Sequence, residues 1–186
     1  MLEGVRIGPH RASRVLASRS AYRAAVVSIV KQGTGLVAAI IICLGAGFIG
    51  SPFTRPAIPE WYAALRKPPW TPPSTACAPV WTVLYLVMGV AAWLIWRREG
   101  WAGASGALLL FGLQLVLNST WSAVFFGLRF PGLAFVEIVI LWLSILATTL
   151  AFWHHSRLAS GLLVPYLAWV SYAAALNLAL WRLNTG

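Results

Sequence analysis

Five long apolar segments constrain the fold of this chain more than any other feature of its sequence. They cover roughly residues 33–52, 79–97, 102–127, 132–153 and 158–181 of the 186. The hydrocarbon core of a bilayer is about 30 Å thick, and an α-helix needs about 20 apolar residues to cross it. Because 60% of the residues are hydrophobic and only 10% are charged, little sequence remains for a water-soluble domain. We therefore predict an all-α integral membrane protein, with a bundle of five transmembrane helices at residues 33–186.

The distribution of positive charge predicts how this bundle is oriented. The formal net charge of +10 comes from Lys and Arg at the segment ends and not from one basic face, so nucleic acid is not predicted as a partner. Nine of the Lys and Arg lie on the side of the N-terminus, and five lie on the other side. By the positive-inside rule, the N-terminus is cytoplasmic if the protein lies in a bacterial inner membrane.

The first 32 residues form a basic arm that precedes the bundle. The arm is rich in Arg and Ser and contains a single acidic residue, Glu3. It fits a segment that is disordered or lies along an anionic membrane surface, and abundant arginine before a first span is what orientation alone requires. A transit peptide is the alternative.

The connection between the first two spans is rich in proline and aromatic residues. From Trp61 to Trp81 it contains three tryptophans and five prolines. Because proline fixes φ and removes a backbone donor, such a loop loses little freedom on ordering and holds its rings in fixed directions. We predict a stiff aromatic lid, with the second span beginning at Pro79.

Three of the spans carry aromatic and amide side chains on one helical face. These faces are Trp81, Tyr85, Met88 and Ala92 in the second span, Gln114, Asn118, Trp121 and Phe125 in the third, and Tyr166, Trp169, Ala173 and Asn177 in the fifth. Amides are costly in hydrocarbon unless they are hydrogen-bonded, so the faces are expected to look into the bundle. Asn118 has two interpretations: it forms a hydrogen bond between helices, or it donates a hydrogen bond to a ligand. Together the faces predict an apolar cavity with a few polar groups, as small-molecule sites have.

Other polar residues of the spans leave their roles open. Glu137 is about 9 Å inside its span at 1.5 Å per residue, and it is either functional or a structural group that reaches interfacial water or Arg129. His154 and His155 are adjacent, point about 100° apart on a helix and have no third ligand nearby, so no metal site is predicted. The sequence contains no hydrolytic constellation and no nucleotide-binding loop.

Small residues are frequent in the first and third spans. The first span is rich in Gly and Ala, which predicts close packing against a neighbouring helix. The third begins with small residues at a spacing of four, which could support a homodimer: Ala102, Gly103, Gly106 and Ala107.

From about Gly33 to Asn184, the chain resembles the TspO/MBR family, whose members are also called translocator proteins and peripheral-type benzodiazepine receptors. The motifs that carry the resemblance are Trp61-Tyr62, Lys67-Pro68-Pro69-Trp70-Thr71-Pro72-Pro73, Pro79-Val80-Trp81, Leu117-Asn118 and Pro165-Tyr166-Leu167-Ala168-Trp169. The resemblance implies a five-helix bundle, usually a homodimer, whose first loop caps a pocket for a porphyrin such as protoporphyrin or haem. The pocket positions that it implies are Tyr62, Pro72, Trp81, Tyr85, Asn118, Trp121, Trp169 and Ala173.

The resemblance also implies a role in tetrapyrrole transport, homeostasis and regulation, with the porphyrin as ligand and no further cofactor. One alternative is light-dependent porphyrin breakdown, in which Trp81 and Trp169 would be the reacting residues. The other is sterol or lipid translocation. The sterol pattern of animal members requires a tyrosine where this chain has Leu178, which favours the bacterial type and a bacterial cell envelope membrane.

Overall fold

The computed structural model describes the backbone of residues 9–185 and the side chains of residue 19 and residues 22–185. These residues form four α-helices: α1 (Pro9–Ala57), α2 (Ser74–Ser122), α3 (Pro131–His155) and α4 (Arg157–Asn184). A π-helical turn follows α1 at Ile58–Tyr62, and a second follows α2 at Ala123–Gly127. Within the described part, four helices are long and apolar enough to cross a membrane. The predicted class, an all-α membrane protein, is therefore confirmed.

The helix α2 is broken near its middle. Its 49 residues would extend about 74 Å at 1.5 Å per residue, more than twice the thickness of a hydrocarbon core. The helical backbone is interrupted at Gly100, with φ 67° and ψ −174°, and at Ala104, with φ −131° and ψ 22°. Glycine adopts such a positive φ without steric cost. The break begins between the second and third predicted spans and divides α2 into two helical arms.

The helix α1 begins well before the predicted first span. The predicted arm is helical from Pro9 onward, and residues 1–8 lie outside the described part of the chain. The described side chains from Tyr22 to Lys31 are all exposed. The chain divides into two units, of which one ends at Gly35 and the other begins at Leu36.

The loop after the first span is shorter than the sequence predicts. Only residues 65–73 are non-helical, because Trp61 and Tyr62 belong to the π-helical turn and α2 begins at Ser74. The prediction that the second span begins at Pro79 is therefore wrong. Pro73 precedes the helix with φ −56° and ψ 137°, an extended conformation suited to a helix start. Pro79 lies in the second turn of α2. The carbonyl that it leaves without a backbone donor belongs to the exposed residue Thr75.

Glycine residues allow α1 and α2 to pack closely. A Cβ added at Gly89 would lie 2.9 Å from the Ile40 Cα, and one added at Gly50 would lie 2.9 Å from the Ser122 Oγ. The Tyr85 ring occupies the space where a Gly47 side chain would stand. The predicted packing role of the small residues is thus confirmed for Gly47 and Gly50.

The main core lies among α2, α3 and α4. Buried apolar residues from these three helices form one continuous cluster, in which the rings of Phe111 and Phe152 stack at 5.8 Å. Polar contacts join α3 to α4: the Trp142 indole donates to the Ser171 Oγ at 2.7 Å, and the Ser160 hydroxyl donates to the Thr149 carbonyl at 2.8 Å. These helices therefore form the framework on which the candidate site is built.

Candidate functional site

Four aromatic rings from α2 and α4, which we call the Trp81 group, form the centre of the candidate site: Trp81, Tyr85, Tyr166 and Trp169. Trp81 stacks on Tyr85 with 5.6 Å between ring centroids and 28° between planes. It meets Tyr166 edge-on at 6.2 Å and Trp169 at 6.5 Å, the latter at 90°. The structure thus brings together three of the predicted site residues and adds Tyr166, which is fully buried.

A buried chain of hydrogen bonds supports the Trp81 group. The Tyr85 hydroxyl donates to the Asn118 Oδ1, and the Asn118 Nδ2 donates to the Tyr166 hydroxyl oxygen at 3.1 Å. The Tyr166 hydroxyl in turn donates to the Gln114 Oε1 at 2.9 Å. Asn118 therefore connects both arms of α2 to α4. Of its two interpretations from the sequence, the hydrogen bond between helices is observed.

Near these hydrogen bonds, two buried N–H groups have no partner among the described residues. They are the Trp169 Nε1 and the Gln114 Nε2. A buried donor without an acceptor costs about 1–3 kcal/mol, and most buried polar groups in proteins are therefore hydrogen-bonded. Trp169 also contacts Trp81, so its indole N–H is a donor without an acceptor beside these rings.

Glu137 lies deeper than its sequence position suggests. The residue is 9% exposed, and both carboxylate oxygens are buried without a hydrogen-bond partner among the described residues. Of the structural alternatives left open for Glu137, a contact with Arg129 is not formed, because the Arg129 Nη2 lies 3.9 Å from the Glu60 Oε2 instead. Arg129 and Glu60 are exposed, in the loop before α3 and in the first π-helical turn, whereas Glu137 faces the interior of the bundle.

A second aromatic cluster joins the two π-helical turns. Trp121 stacks on Phe125 at 5.0 Å, Trp61 meets Phe125 at 5.5 Å, and Tyr62 meets Phe126 at 5.9 Å. The predicted site residues Tyr62 and Trp121 therefore lie in this cluster, while Trp121 also packs against the core that contains the Trp81 group. π-Helical turns are rare and occur frequently at functional sites.

Trp121 is held in place by an asparagine of α4. Its indole N–H donates to the Asn177 Oδ1 at 3.1 Å, and the Asn177 Nδ2 donates to the Pro131 carbonyl at 2.8 Å. This indole donor is thus used within the protein. Trp169, by contrast, keeps its indole donor available.

The loop at residues 65–73 is attached to α4 at two points. The Arg66 backbone N–H donates to the Asn184 Oδ1 at 2.9 Å, and the Asn184 Nδ2 donates to the Arg66 carbonyl at 3.0 Å. The Tyr172 hydroxyl donates to the Trp70 carbonyl at 2.8 Å, and the two rings lie 5.7 Å apart. Tyr172 also contacts Trp169 at 5.8 Å, so the loop is connected to the Trp81 group through Tyr172.

The two remaining predicted site residues lie in the same region. Pro72 is half-buried in the loop, and Ala173 is half-buried on α4, where it packs against the main core. Helical spacing placed Tyr166 on the same interior face as Trp169, although it was not among the predicted pocket positions. Tyr172 and Asn184 were missed altogether. The contacts of Tyr172 and Asn184 join residues 102 and 118 positions apart, which spacing does not reveal.

Fold and site together define a helical membrane protein with a tryptophan-rich interior and a proline-rich loop bound to its last helix. The sequence model of the TspO/MBR family matches residues 39–182 of this chain. The chain is 43% identical over 158 residues to the tryptophan-rich protein TspO of Chlorobaculum tepidum, covering 83% of this chain and 98% of that protein. It is 42% identical over 149 residues to the tryptophan-rich protein TspO of Archaeoglobus fulgidus, with 80% and 96% covered. It is 42% identical over 142 residues to the translocator protein of Ovis aries, with 75% and 84% covered.

These matches cover most of the chain at an identity well above that of unrelated sequences. The chain therefore belongs to the TspO/MBR family, and it is an integral membrane protein.

Proposed function

We propose that this protein binds a porphyrin-type tetrapyrrole against the Trp81 group and contributes to tetrapyrrole transport or homeostasis. The observation that carries the proposal is the buried Trp169 indole N–H, which has no partner among the described residues, in a ring that contacts Trp81 and Tyr172. A porphyrin is flat and π-rich, which suits stacking and edge contacts with such rings. Its carboxylates or ring nitrogens offer the acceptor that Trp169 lacks. The family membership of the chain supports this choice.

Entry of a ligand requires movement of the rings and of the loop. Trp81 contacts Tyr85, Tyr166 and Trp169 directly, so a flat ligand has to displace at least one of these contacts. The loop is bound to Tyr172, which touches Trp169. We infer that the loop acts as a lid whose release from α4 precedes ligand entry and exit.

We further infer that the two arms of α2 cross the membrane separately. The helix is too long for a single crossing, and its backbone breaks at Gly100, where Arg97, Arg98 and Glu99 form a charged segment. Separate crossings give five spans in all. From the imbalance of Lys and Arg we infer that the N-terminus lies in the cytoplasm of a bacterial cell and the loop at residues 65–73 on the opposite face.

The position of the site is tested by removing one indole N–H. Trp169→Phe keeps an aromatic ring but deletes the donor, and we expect it to weaken protoporphyrin binding about tenfold, the effect of losing a hydrogen bond to a charged group. The measurement is the quenching of tryptophan fluorescence by added protoporphyrin. Trp153→Phe is the matched control, because Trp153 is 52% exposed at the far end of α3. Equal affinities for Trp169→Phe and the wild type would contradict the proposed site.

The lid is tested at Asn184. Asn184→Ala removes both hydrogen bonds to the Arg66 backbone, which are worth about 1 kcal/mol each. We therefore expect protoporphyrin to associate and dissociate about five- to thirtyfold faster in stopped-flow fluorescence. Thr185→Ala is the control, since the Thr185 hydroxyl donates only to the Trp181 carbonyl within the same helix end. Unchanged rates for Asn184→Ala would show that this attachment does not limit access.

One observation favours a second function, the light-dependent breakdown of porphyrin. Trp81 and Trp169 lie 6.5 Å apart, so a porphyrin bound against either ring would be close to both indoles. In this reaction an indole in contact with the ligand gives one electron to the light-excited porphyrin, and molecular oxygen is the oxidant that the breakdown consumes. Loss of the porphyrin absorption band in the light but not in the dark, abolished by Trp81→Phe, would support breakdown. A band that is stable under illumination would leave binding alone.

A further inference from the structure

A basic cleft lies at the other end of α4 from Asn184. It has a volume of about 450 Å³ and lies where α3 ends and α4 begins, next to the break in α2. Four of its lining side chains carry basic nitrogen groups, and two are large and apolar. The lining residues are Arg98, Trp153, His154, His155, Ser156, Arg157 and Leu158.

The charge of the cleft is positive. Its two guanidinium groups come from Arg98 and Arg157, and the latter lies over the Trp153 ring at 5.4 Å. Glu99 is the one acidic side chain paired with a lining residue in the described part, and its Oε1 lies 3.6 Å from the Arg98 Nε. The first turn of α4, capped by the Ser156 Oγ, adds the positive end of a helix dipole. The cleft therefore attracts an anion.

The surroundings of the cleft distinguish a lipid from a soluble anion. The ends of membrane-spanning helices lie at the headgroup level of the bilayer, and tryptophan is enriched there. Trp153 is 52% exposed and Leu158 is 66% exposed at the rim, where they can contact acyl chains. A soluble phosphate would use the guanidinium groups but gain nothing from these apolar side chains. Basic clefts between helices at this level are suited to anionic headgroups.

We propose that this cleft binds the headgroup of an anionic phospholipid. Arg98 and Arg157 hold its phosphate, and the acyl chains lie along Trp153 and Leu158. The site is separate from the Trp81 group, so it does not depend on the proposed porphyrin function.

The test measures retention of phosphatidylglycerol and phosphatidylcholine by the purified full chain in native mass spectrometry. We expect a preference for phosphatidylglycerol in the wild type. Arg98→Gln with Arg157→Gln is expected to weaken phosphatidylglycerol binding about 25-fold, about fivefold for each cation. Glu99→Gln removes the competing carboxylate of Arg98 and is expected to strengthen binding severalfold.

The matched control is Arg55→Gln with Arg182→Gln. It changes the net charge equally, but Arg55 lies in the last turn of α1 and Arg182 in the last turn of α4, and neither lines the cleft. An equal loss in this control would show that total charge alone governs lipid retention and would overturn the site. Unchanged phosphatidylglycerol binding in the Arg98 and Arg157 double variant would do the same. Displacement of the lipid by inorganic phosphate at equal concentration would assign the cleft to a free anion instead.

Discussion

Asn118→Leu is expected to destabilise the protein by about 2 kcal/mol, because it removes the partner of two buried hydroxyl groups. Tyr85 loses its acceptor, and Tyr166 loses the donor that approaches its oxygen. A buried polar group without a partner costs about 1–3 kcal/mol, while hydrogen bonds between membrane helices average about 0.6 kcal/mol and reach about 1.7. Unfolding in mixed micelles of increasing denaturing-detergent content measures this change.

A double-mutant cycle separates the hydrogen bond from simple packing effects. Tyr85→Phe removes the hydroxyl that Asn118 accepts from, so Asn118→Leu is expected to cost about 1 kcal/mol less in that background. Additive effects of the two substitutions would contradict the role assigned to Asn118. The same variants should show a weakened near-ultraviolet circular dichroism signal, since Tyr85 is stacked on Trp81.

Gly89→Ala is expected to have a comparable effect for a different reason. The added Cβ would stand 2.9 Å from the Ile40 Cα and 3.1 Å from the Ile40 N, and a helix backbone cannot move aside as a flexible side chain can. Overpacking of this kind costs about 1–3 kcal/mol, so the midpoint of unfolding should shift clearly. Gly112→Ala in the same helix is the control, because nothing lies within 4 Å of its added Cβ.

The Gly112→Ala control is expected to change stability in the opposite direction or not at all. Alanine is favoured over glycine in a helix by about 1 kcal/mol, so Gly112→Ala should be neutral or stabilising. Equal stabilities for Gly89→Ala and Gly112→Ala would contradict the close approach of α1 and α2 at Gly89 and Ile40.

Much of the fold could be predicted from hydrophobic periodicity. The third and fourth helices, α3 and α4, match the predicted spans at residues 132–153 and 158–181 within a few residues. The start of α2 could not be predicted, because Pro79 is an equally good first-turn residue and its actual place in the second turn of the helix depends on Pro73. The helical state of residues 9–32 was not predicted either, because the many Arg and Ser residues of this segment outweighed the mostly apolar stretch at residues 24–30.

For the candidate site, the sequence predicted which helix faces point into the bundle but not which side chains contact each other. Helical spacing placed Tyr85, Asn118 and Trp169 on interior faces, and the structure shows all three beside the same rings or hydrogen bonds. Spacing could not show that the Trp121 indole is used by Asn177 while that of Trp169 is unused. Nor could it pair Arg66 with Asn184, because these residues are 118 positions apart and only the folded bundle brings them together.

The most direct test of the proposed function is a titration of the purified wild-type protein with protoporphyrin, in the presence and absence of a sterol. Binding against the Trp81 group predicts a shift of the porphyrin absorption band that saturates at one ligand per chain and at low micromolar concentration or below, about the range of physiological sites. An excess of sterol should leave this binding unchanged. Uptake that rises without saturation, or displacement of the porphyrin by the sterol, would contradict a tetrapyrrole site in this bundle.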